Sequence, residues 1–284
     1  MTTGSTLTGR LGPDALAGIA ELCASSLGPD APDQEELVAS LFTPESPVVV
    51  RGDPGIGVVA TAERGGQAFV RLLAVHPHHQ RSGVGHALME AAEDDLAGLG
   101  PITVGADAPD YLFPGVPSRM TGMFCLLEAR GYSRAETNLN MDVDLTALPP
   151  DPGGARRARQ SDRAEVDEWM QLHWPWWRAE VLHALDKDRL LVSHDEAGLA
   201  GFCAWDVNRK GWLGPIAVRP AAMGRRIGVP LLLGALHDMR AEGRTRAEVA
   251  WISPVRFYAR TVGAVMGTAF IVARKAAAAP EAGR

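Results

Sequence analysis

One short segment of this chain combines residue types suited to binding phosphate. It runs from Gln80 to Gly85, reads Q-R-S-G-V-G, and lies between a strand-like apolar run and a helical pattern. The first amides of a helix lack intrahelical partners and carry partial positive charge, so a loop there can accept a diphosphate. Gly83 and Gly85 permit backbone approaches that a Cβ would block, while Arg81 adds a charge and Ser82 a hydroxyl. Alone, such a short pattern more often marks a plain tight turn.

The same plan of strand, loop and helix recurs in the second half of the chain. Aligned without a gap from Val218 onward, the second copy has Met223 in place of Gln80 and Arg226 in place of Gly83. A repeat of this length indicates a duplicated domain. A side chain at the position of Gly83 would crowd the backbone that a diphosphate must approach. We therefore expect ligand binding in the first copy.

Hydrophobic periodicity and turn residues predict the elements that must position these loops. In the first half they give helices at about 14–27 and 33–42, from about 84, and at 120–130, and strands at about 48–51, 56–62, 68–75, 102–106 and 139–145. In the second half they give helices that begin near 162, 227 and 254, and strands at about 190–193, 198–205, 212–218, 245–251 and 269–274. Both halves are therefore predicted to be α/β units.

A run rich in proline and glycine divides the two predicted units. Pro149 to Gly154 reads P-P-D-P-G-G, which can continue neither a strand nor a helix. The sequence therefore predicts a first domain at 1–147, a linker at 148–154 and a second domain at 155–284.

Composition limits the classes of function that fit. The net charge of −6 argues against a general nucleic-acid binder, and no stretch has the roughly 20 apolar residues of a membrane span. The segment Met1 to Gly12 lacks the pattern of a secretory signal, so we expect a cytoplasmic protein. The three cysteines and the clustered His76, His78 and His79 lack metal-ligand spacing, so we expect neither a disulfide framework nor a metal site.

Together these segments resemble the GNAT N-acyltransferase superfamily. The loop is similar to that family's acyl-CoA diphosphate loop, Q/R-x-x-G-x-G/A, which Gln80, Gly83 and Gly85 match. Leu126 to Tyr132 is similar to the family helix that ends in L-Y-E-x-x-G-F, and Arg256 to Gly263 resembles it in the second half. The resemblance implies an α/β fold of two tandem GNAT-like domains, each a mixed, mostly antiparallel central sheet flanked by helices.

The resemblance also implies an activity. It implies transfer of an acyl group, most simply acetyl, from acyl-CoA to a primary amine of a small molecule such as an amino sugar, an aminoglycoside-like antibiotic or an amino-acid derivative. No cysteine or serine with a paired base stands out, so direct attack by the amine is expected. The alternatives are a non-catalytic acyl-CoA-binding or regulatory protein and a protein N-acetyltransferase. We expect a monomer or homodimer that binds neither nucleic acid nor membrane.

The family pattern assigns the residues that would hold the cofactor, acetyl-CoA or another acyl-CoA. Pantetheine would pair with the backbone of the strand before the loop, and the diphosphate would bind the loop. The implied residues are Leu73, Ala74, Val75, Gln80, Arg81, Ser82, Gly83, Val84, Gly85 and His86.

The acid and base are less clear from the sequence. The tyrosine that commonly protonates the thiolate in this family aligns with Leu127, which cannot donate a proton. Tyr111 is the nearest replacement, and Asp107 and Asp110 are the carboxylates beyond the same strand. We take Tyr111 and Asp107 as the catalytic candidates, with an ordinary polar loop as the equal alternative.

Three tryptophans crowd the second half, at Trp174, Trp176 and Trp177. They could line the side of the site that receives the amine, because that region has this role in the family. They could equally pack between the two halves, which is the more common use of large aromatic side chains.

Overall fold

The structure is a computed structural model that describes residues 7–42 and 47–277. Contacts group the chain into two compact units. Of the described residues, unit 1 comprises 7–42, 47–138 and 270–277, and unit 2 comprises Leu139–Ala269. None of the helices in the described residues is long and apolar enough to cross a membrane.

The elements follow each other in the predicted order, with one helix, Arg178–Asp186, and two short strands, Val116–Pro117 and Arg156–Arg157, that the sequence patterns did not indicate. Up to the last helix of unit 1, the chain forms α1 Leu16–Leu27, α2 Gln34–Leu41, β1 Val48–Asp53, β2 Gly57–Arg64, β3 Gln67–Val75, α3 Val84–Asp95, β4 Ile102–Val104, β5 Val116–Pro117 and α4 Thr121–Ala129. Then come β6 Ser133–Asp144, β7 Arg156–Arg157, α5 Arg163–His173, α6 Arg178–Asp186, β8 Leu190–Asp195, β9 Gly198–Trp205, β10 Trp212–Val218, α7 Gly228–Ala241, β11 Arg246–Val249, α8 Val255–Val262 and β12 Val265–Lys275.

Each unit has a sheet in which one strand pair is parallel. In unit 1 the order is β1-β2-β3-β4-β12, with only β3 and β4 parallel, and β5 pairs with β12. In unit 2 the order is β6-β11-β10-β9-β8-β7, with only β10 and β11 parallel. The predicted class, a mixed and mostly antiparallel α/β fold, is confirmed.

The boundaries between the two units fall within two long strands, β6 and β12, and not at the predicted linker. The last residues of β6, Met141 to Asp144, pair with β11 in unit 2. The end of β12, Ala273 to Lys275, pairs with β4 in unit 1. The units therefore change at 138/139 and at 269/270, whereas the predicted domains followed the linear sequence. Pairing between distant strands, rather than the local proline and glycine content, sets these divisions.

Helices cover both faces of the unit 1 sheet near the loop. On one face α3 buries Val84, Leu88 and Met89 in the cluster that contains Val70 and Leu73. On the other face, Ile19, Leu22, Leu37 and Leu41 of α1 and α2 pack with Val58, Ala60, Leu72 and Ala74. Strand β3 is thus buried on both sides, which fixes where the loop after it can lie.

Candidate acyl-CoA site

The loop after β3 has the strand-to-helix geometry that its sequence predicts. A single helical turn at Pro77–His79 follows the strand. The Gln80 side-chain amide then donates to the Val75 carbonyl at 3.1 Å. The Ser82 hydroxyl donates to the His79 carbonyl at 2.6 Å. Gly83 has a φ of +90° and α3 begins at the next residue, so the first amides of the helix face the end of the loop.

The two glycines of the loop have different roles. A Cβ added at Gly83 would meet no atom within 4 Å, so the surface above this left-handed residue is open. A Cβ added at Gly85 would lie 3.0 Å from Cδ2 of Leu126, on helix α4. Gly85 therefore lets α4 pack closely against α3, and Gly83 leaves room for a ligand.

The second copy keeps the backbone of the first. Gly224 and Arg226 have φ values of +81° and +63°, and their counterparts Arg81 and Gly83 have +63° and +90°. Both loops are therefore left-handed at the same two positions, and only the side chains there differ. The Cβ of Arg226 stands where the first loop has open space, which supports the prediction that the first copy is the better diphosphate site.

A cleft lies beside β3 within unit 1. Strand pairing between β3 and β4 ends at Val70 and Val104. The cleft is shallow and opens to solvent. Four consecutive residues, Val70 to Leu73, line it. Because successive side chains of a strand point to opposite faces, four in a row can share a cleft only along the strand edge, where backbone N–H and C=O groups point.

The opposite wall of this cleft is mostly apolar. It is formed by Leu27, Val104, Gly105, Phe113, Gly115, Val116, Pro117, Met120 and Met123. Most of these residues belong to the segment 105–120 that joins β4 to α4, which we call the wall segment. A mostly apolar lining with a few polar groups is typical of a small-molecule site.

The residues predicted to bind the cofactor lie around the loop and the cleft. Leu73 and Ala74 are buried in β3, and Val75 is half-buried at its end. Arg81, Ser82, Gly83 and His86 are exposed, whereas Val84 is buried. The structure therefore brings these predicted residues together in one place, and their binding role stays a prediction.

Asp107, a predicted catalytic residue, is engaged by two arginines. Its side chain has no exposed area and accepts hydrogen bonds from Nε of Arg64 at 3.0 Å and Nε of Arg71 at 2.7 Å. Burial of Arg64 opposes its charge, but hydrogen bonds and charge interactions with Asp110 and Asp107 outweigh this, so the pKa of Arg64 is raised. A carboxylate held in this way is poorly suited to accept a proton from an amine, and these contacts favour a positioning role.

The tyrosines are also buried. Tyr111 follows Asp110 in the wall segment, and only 9% of its surface is exposed. Leu127 lies in the core of unit 1. In unit 2, burial raises the pKa of Tyr258 above its usual range, consistent with a core tyrosine. The assignment of Tyr111 as the acid stays a prediction.

The three tryptophans lie in unit 2, in the turn between α5 and α6. The rings of Trp174 and Trp177 stack with centroids 5.3 Å apart. Both pack against the core of unit 2, so part of this cluster is structural. Trp176 is 62% exposed and is the member available to a ligand.

Sequence reasoning missed two groups beside β3. The Ser26 hydroxyl, at the end of α1, donates to the Val75 carbonyl at 3.1 Å, and nothing in the local sequence indicates this contact. Arg71 lines the cleft, and a charged residue inside an apolar strand was a signal that could have identified it. Within the part of the chain that the structure describes, no three His, Cys, Asp or Glu side chains are grouped to hold a metal ion.

Comparisons with known proteins agree on one family. Residues 45–111 match the family described as Acetyltransferase (GNAT) domain. The chain is 31% identical to a mycothiol acetyltransferase of Clavibacter michiganensis subsp. michiganensis (strain NCPPB 382), over 81% of each chain. These matches confirm the resemblance inferred from the loop and the helix.

Solved structures share the fold across nearly the whole chain. A tandem GNAT protein from the clavulanic acid biosynthesis pathway is 18% identical, with a TM-score of 0.70, and the match covers 96% of this chain and 98% of that one. The glucosamine N-acetyltransferase region of a fungal multi-domain β-N-acetylglucosaminidase is 20% identical, with a TM-score of 0.75. That match covers 94% of this chain but 38% of the other, so this chain corresponds to a part of that protein.

Proposed function

This chain belongs to the GNAT acetyltransferase family, and we propose that it transfers the acetyl group of acetyl-CoA to a primary amine of a small molecule. The observation that carries this proposal is the open loop at Gly83, next to an apolar cleft that runs along the edge of β3. A diphosphate site in the loop after β3, together with a cleft along the edge of the same strand, matches the two chemically distinct parts of coenzyme A.

Each part of the coenzyme has a counterpart in unit 1. The amides at the start of α3, with Arg81 and Ser82, would hold the diphosphate. The free edge of β3 would pair with the two amides of the pantetheine arm, in the way that a peptide adds to a sheet. The apolar wall would surround the arm and its thioester, which excludes water from the reacting carbonyl.

The chemistry requires a neutral amine and a proton for the departing sulfur. The amine nitrogen attacks the thioester carbonyl, the carbon–sulfur bond breaks, and the thiolate takes up a proton. Deprotonating an ammonium with a pKa near 10 costs about 4–5 kcal/mol at pH 7, so a base or a water chain near the acceptor is needed. We propose Tyr111 as the proton donor to sulfur, and we assign Asp107 to positioning rather than to catalysis.

The relatives suggest the class of acceptor. One is named for mycothiol and another for glucosamine, an amino sugar. We therefore propose an amino sugar or an amino-acid derivative as the acceptor, with an aminoglycoside as a larger variant. Trp176 has an exposed aromatic ring that could stack on such a molecule.

A panel of amines tests this function. Release of the CoA thiol would be followed with acetyl-CoA and, in turn, glucosamine, an aminoglycoside, an amino-acid amide and a peptide with a free amino terminus. We expect turnover with at least one of the three small amines. Turnover with the peptide alone would indicate a protein acetyltransferase. Tight acetyl-CoA binding without turnover on any amine would indicate a regulatory protein.

A further inference from the structure

Strand β3 contains an irregularity where it begins to line the cleft. Leu72 pairs with Ala60 and Val70 pairs with Thr61, so Arg71 is an extra residue with no partner position on β2. Such a bulge bends a strand and redirects the side chain at that point. Pairing with β4 ends at the neighbouring Val70, so Arg71 lies where the cleft opens.

The Arg71 side chain connects three parts of unit 1. It is almost fully buried, and its guanidinium donates to the carboxylate of Asp107 and to the carbonyl of Ser40 on α2. The Ser40 hydroxyl donates in turn to the Asp110 carbonyl at 2.7 Å. Arg64 donates hydrogen bonds to the side-chain carboxylates of Asp107 and Asp110, and the bond to Asp110 measures 2.6 Å. The start of the wall segment is therefore tied to β3 and to α2 by one buried polar network.

Stability alone is a weak explanation for this network. Burying two ionised groups costs several kcal/mol per ion, and replacing such a pair by apolar residues is often neutral or stabilising. The corresponding strand of unit 2 has a bulge at the same place, between Leu213 and Ile216. There, Gly214 occupies the position of Arg71, followed by Pro215. A bulge can thus form in this chain without a buried charge.

We propose that Arg71 is a positioning residue for acetyl transfer in unit 1. By holding Asp107, it fixes the wall segment against the bulged edge of β3 and so sets the place of the thioester in the cleft. The loop that would bind the diphosphate lies beyond the other end of this strand stretch, after Val75. We therefore expect the pair of Arg71 and Asp107 to affect the position of the thioester more than the affinity for acetyl-CoA. This inference rests on the proposed function, because it requires acetyl-CoA in the cleft.

The test replaces the whole pair so that no charge is left buried alone. Arg71→Met combined with Asp107→Leu should keep the melting temperature near that of the wild type and bind acetyl-CoA within a few-fold. Its kcat should fall about 100-fold, which is the loss expected for a misplacement of about 1 Å. The matched control is Arg51→Met with Asp95→Leu, which removes a bidentate pair between β1 and the end of α3. That control should keep the wild-type kcat.

A kcat within threefold of the wild type in the Arg71 and Asp107 double variant would overturn the proposal. If that variant does not fold, Arg71→Lys tests the proposal instead. Lysine keeps the positive charge but cannot form the planar, bidentate contact that a guanidinium makes with a carboxylate. A folded Arg71→Lys protein with reduced kcat and nearly unchanged affinity for acetyl-CoA supports positioning, and one with wild-type kcat overturns it. If the wild type itself does not bind acetyl-CoA, the proposed function fails instead.

Discussion

Gly83→Arg would give the first loop the arginine that the second loop has at the same position. The second loop already holds Arg226 in the left-handed conformation that Gly83 adopts, so the chain can fold with this side chain at such a position. A side chain there costs about 1–2 kcal/mol of backbone strain, partly offset because glycine loses more freedom on folding. We expect a net loss of about 1 kcal/mol and a melting temperature lowered by about 2–4 °C.

The effect on binding should be much larger than the effect on stability. The new Cβ and the chain beyond it would occupy the open surface over the first amides of α3. Loss of about two hydrogen bonds to a charged phosphate, each about 1.5–3 kcal/mol, raises the dissociation constant of acetyl-CoA by about 10²–10⁴-fold. Isothermal titration calorimetry with acetyl-CoA would measure this directly.

Gly224→Arg is the matched control. Gly224 is also left-handed, with a φ of +81°, and a Cβ added there would also meet no atom within 4 Å. The two variants should therefore lose similar stability, and only Gly83→Arg should lose acetyl-CoA. If Gly83→Arg binds as the wild type does while Gly224→Arg loses binding, the assignment of the diphosphate to the first loop is wrong.

Three other variants test separate parts of the structure. Burial opposes the charge of Glu93, but hydrogen bonds from Arg130 and Lys275 outweigh it and lower the pKa of Glu93 below its usual value of 4.5. The stabilisation is therefore present above about pH 4.5 and lost as the pH falls through the folded-state pKa. Glu93→Gln should lower the free energy of unfolding in urea by about 2 kcal/mol at pH 7, and a loss as large at pH 3 would contradict this. Gly85→Val should crowd α4 and cost about 1–3 kcal/mol in the same assay, and wild-type stability would show that the contact can relax. Trp176→Ala should raise the KM for the amine and leave acetyl-CoA binding unchanged, whereas an unchanged KM would remove Trp176 from the acceptor site.

Local sequence patterns were enough to predict the strand, loop and helix around Gly83. The buried run of β3, the left-handed glycine and the start of α3 all depend on neighbours within a few residues. The separate role of Gly85 was not predictable in the same way, because it depends on contact with Leu126 on another helix.

The role of Asp107 could not be predicted from its sequence neighbours either, because it depends on residues that are distant in the chain. In the sequence it is a polar residue after a strand, which is typical of a loop or a site. Its partners Arg64 and Arg71 lie 43 and 36 residues earlier in the chain. Only the folded sheet brings these three side chains together, and burial then changes the expected role of the carboxylate. Distant strand pairing also decided the unit boundaries.

The position of β12 has a consequence for synthesis on the ribosome. Strand β4 of unit 1 pairs with residues 273–275, which are translated long after the rest of that unit. At about 5–20 residues per second, the delay is on the order of 10 s. During that time, one edge of the nascent sheet lacks its neighbouring strand and is open to pairing with another chain. Correct folding of the enzyme therefore depends on keeping the edge of β4 from pairing with another chain until β12 has been translated.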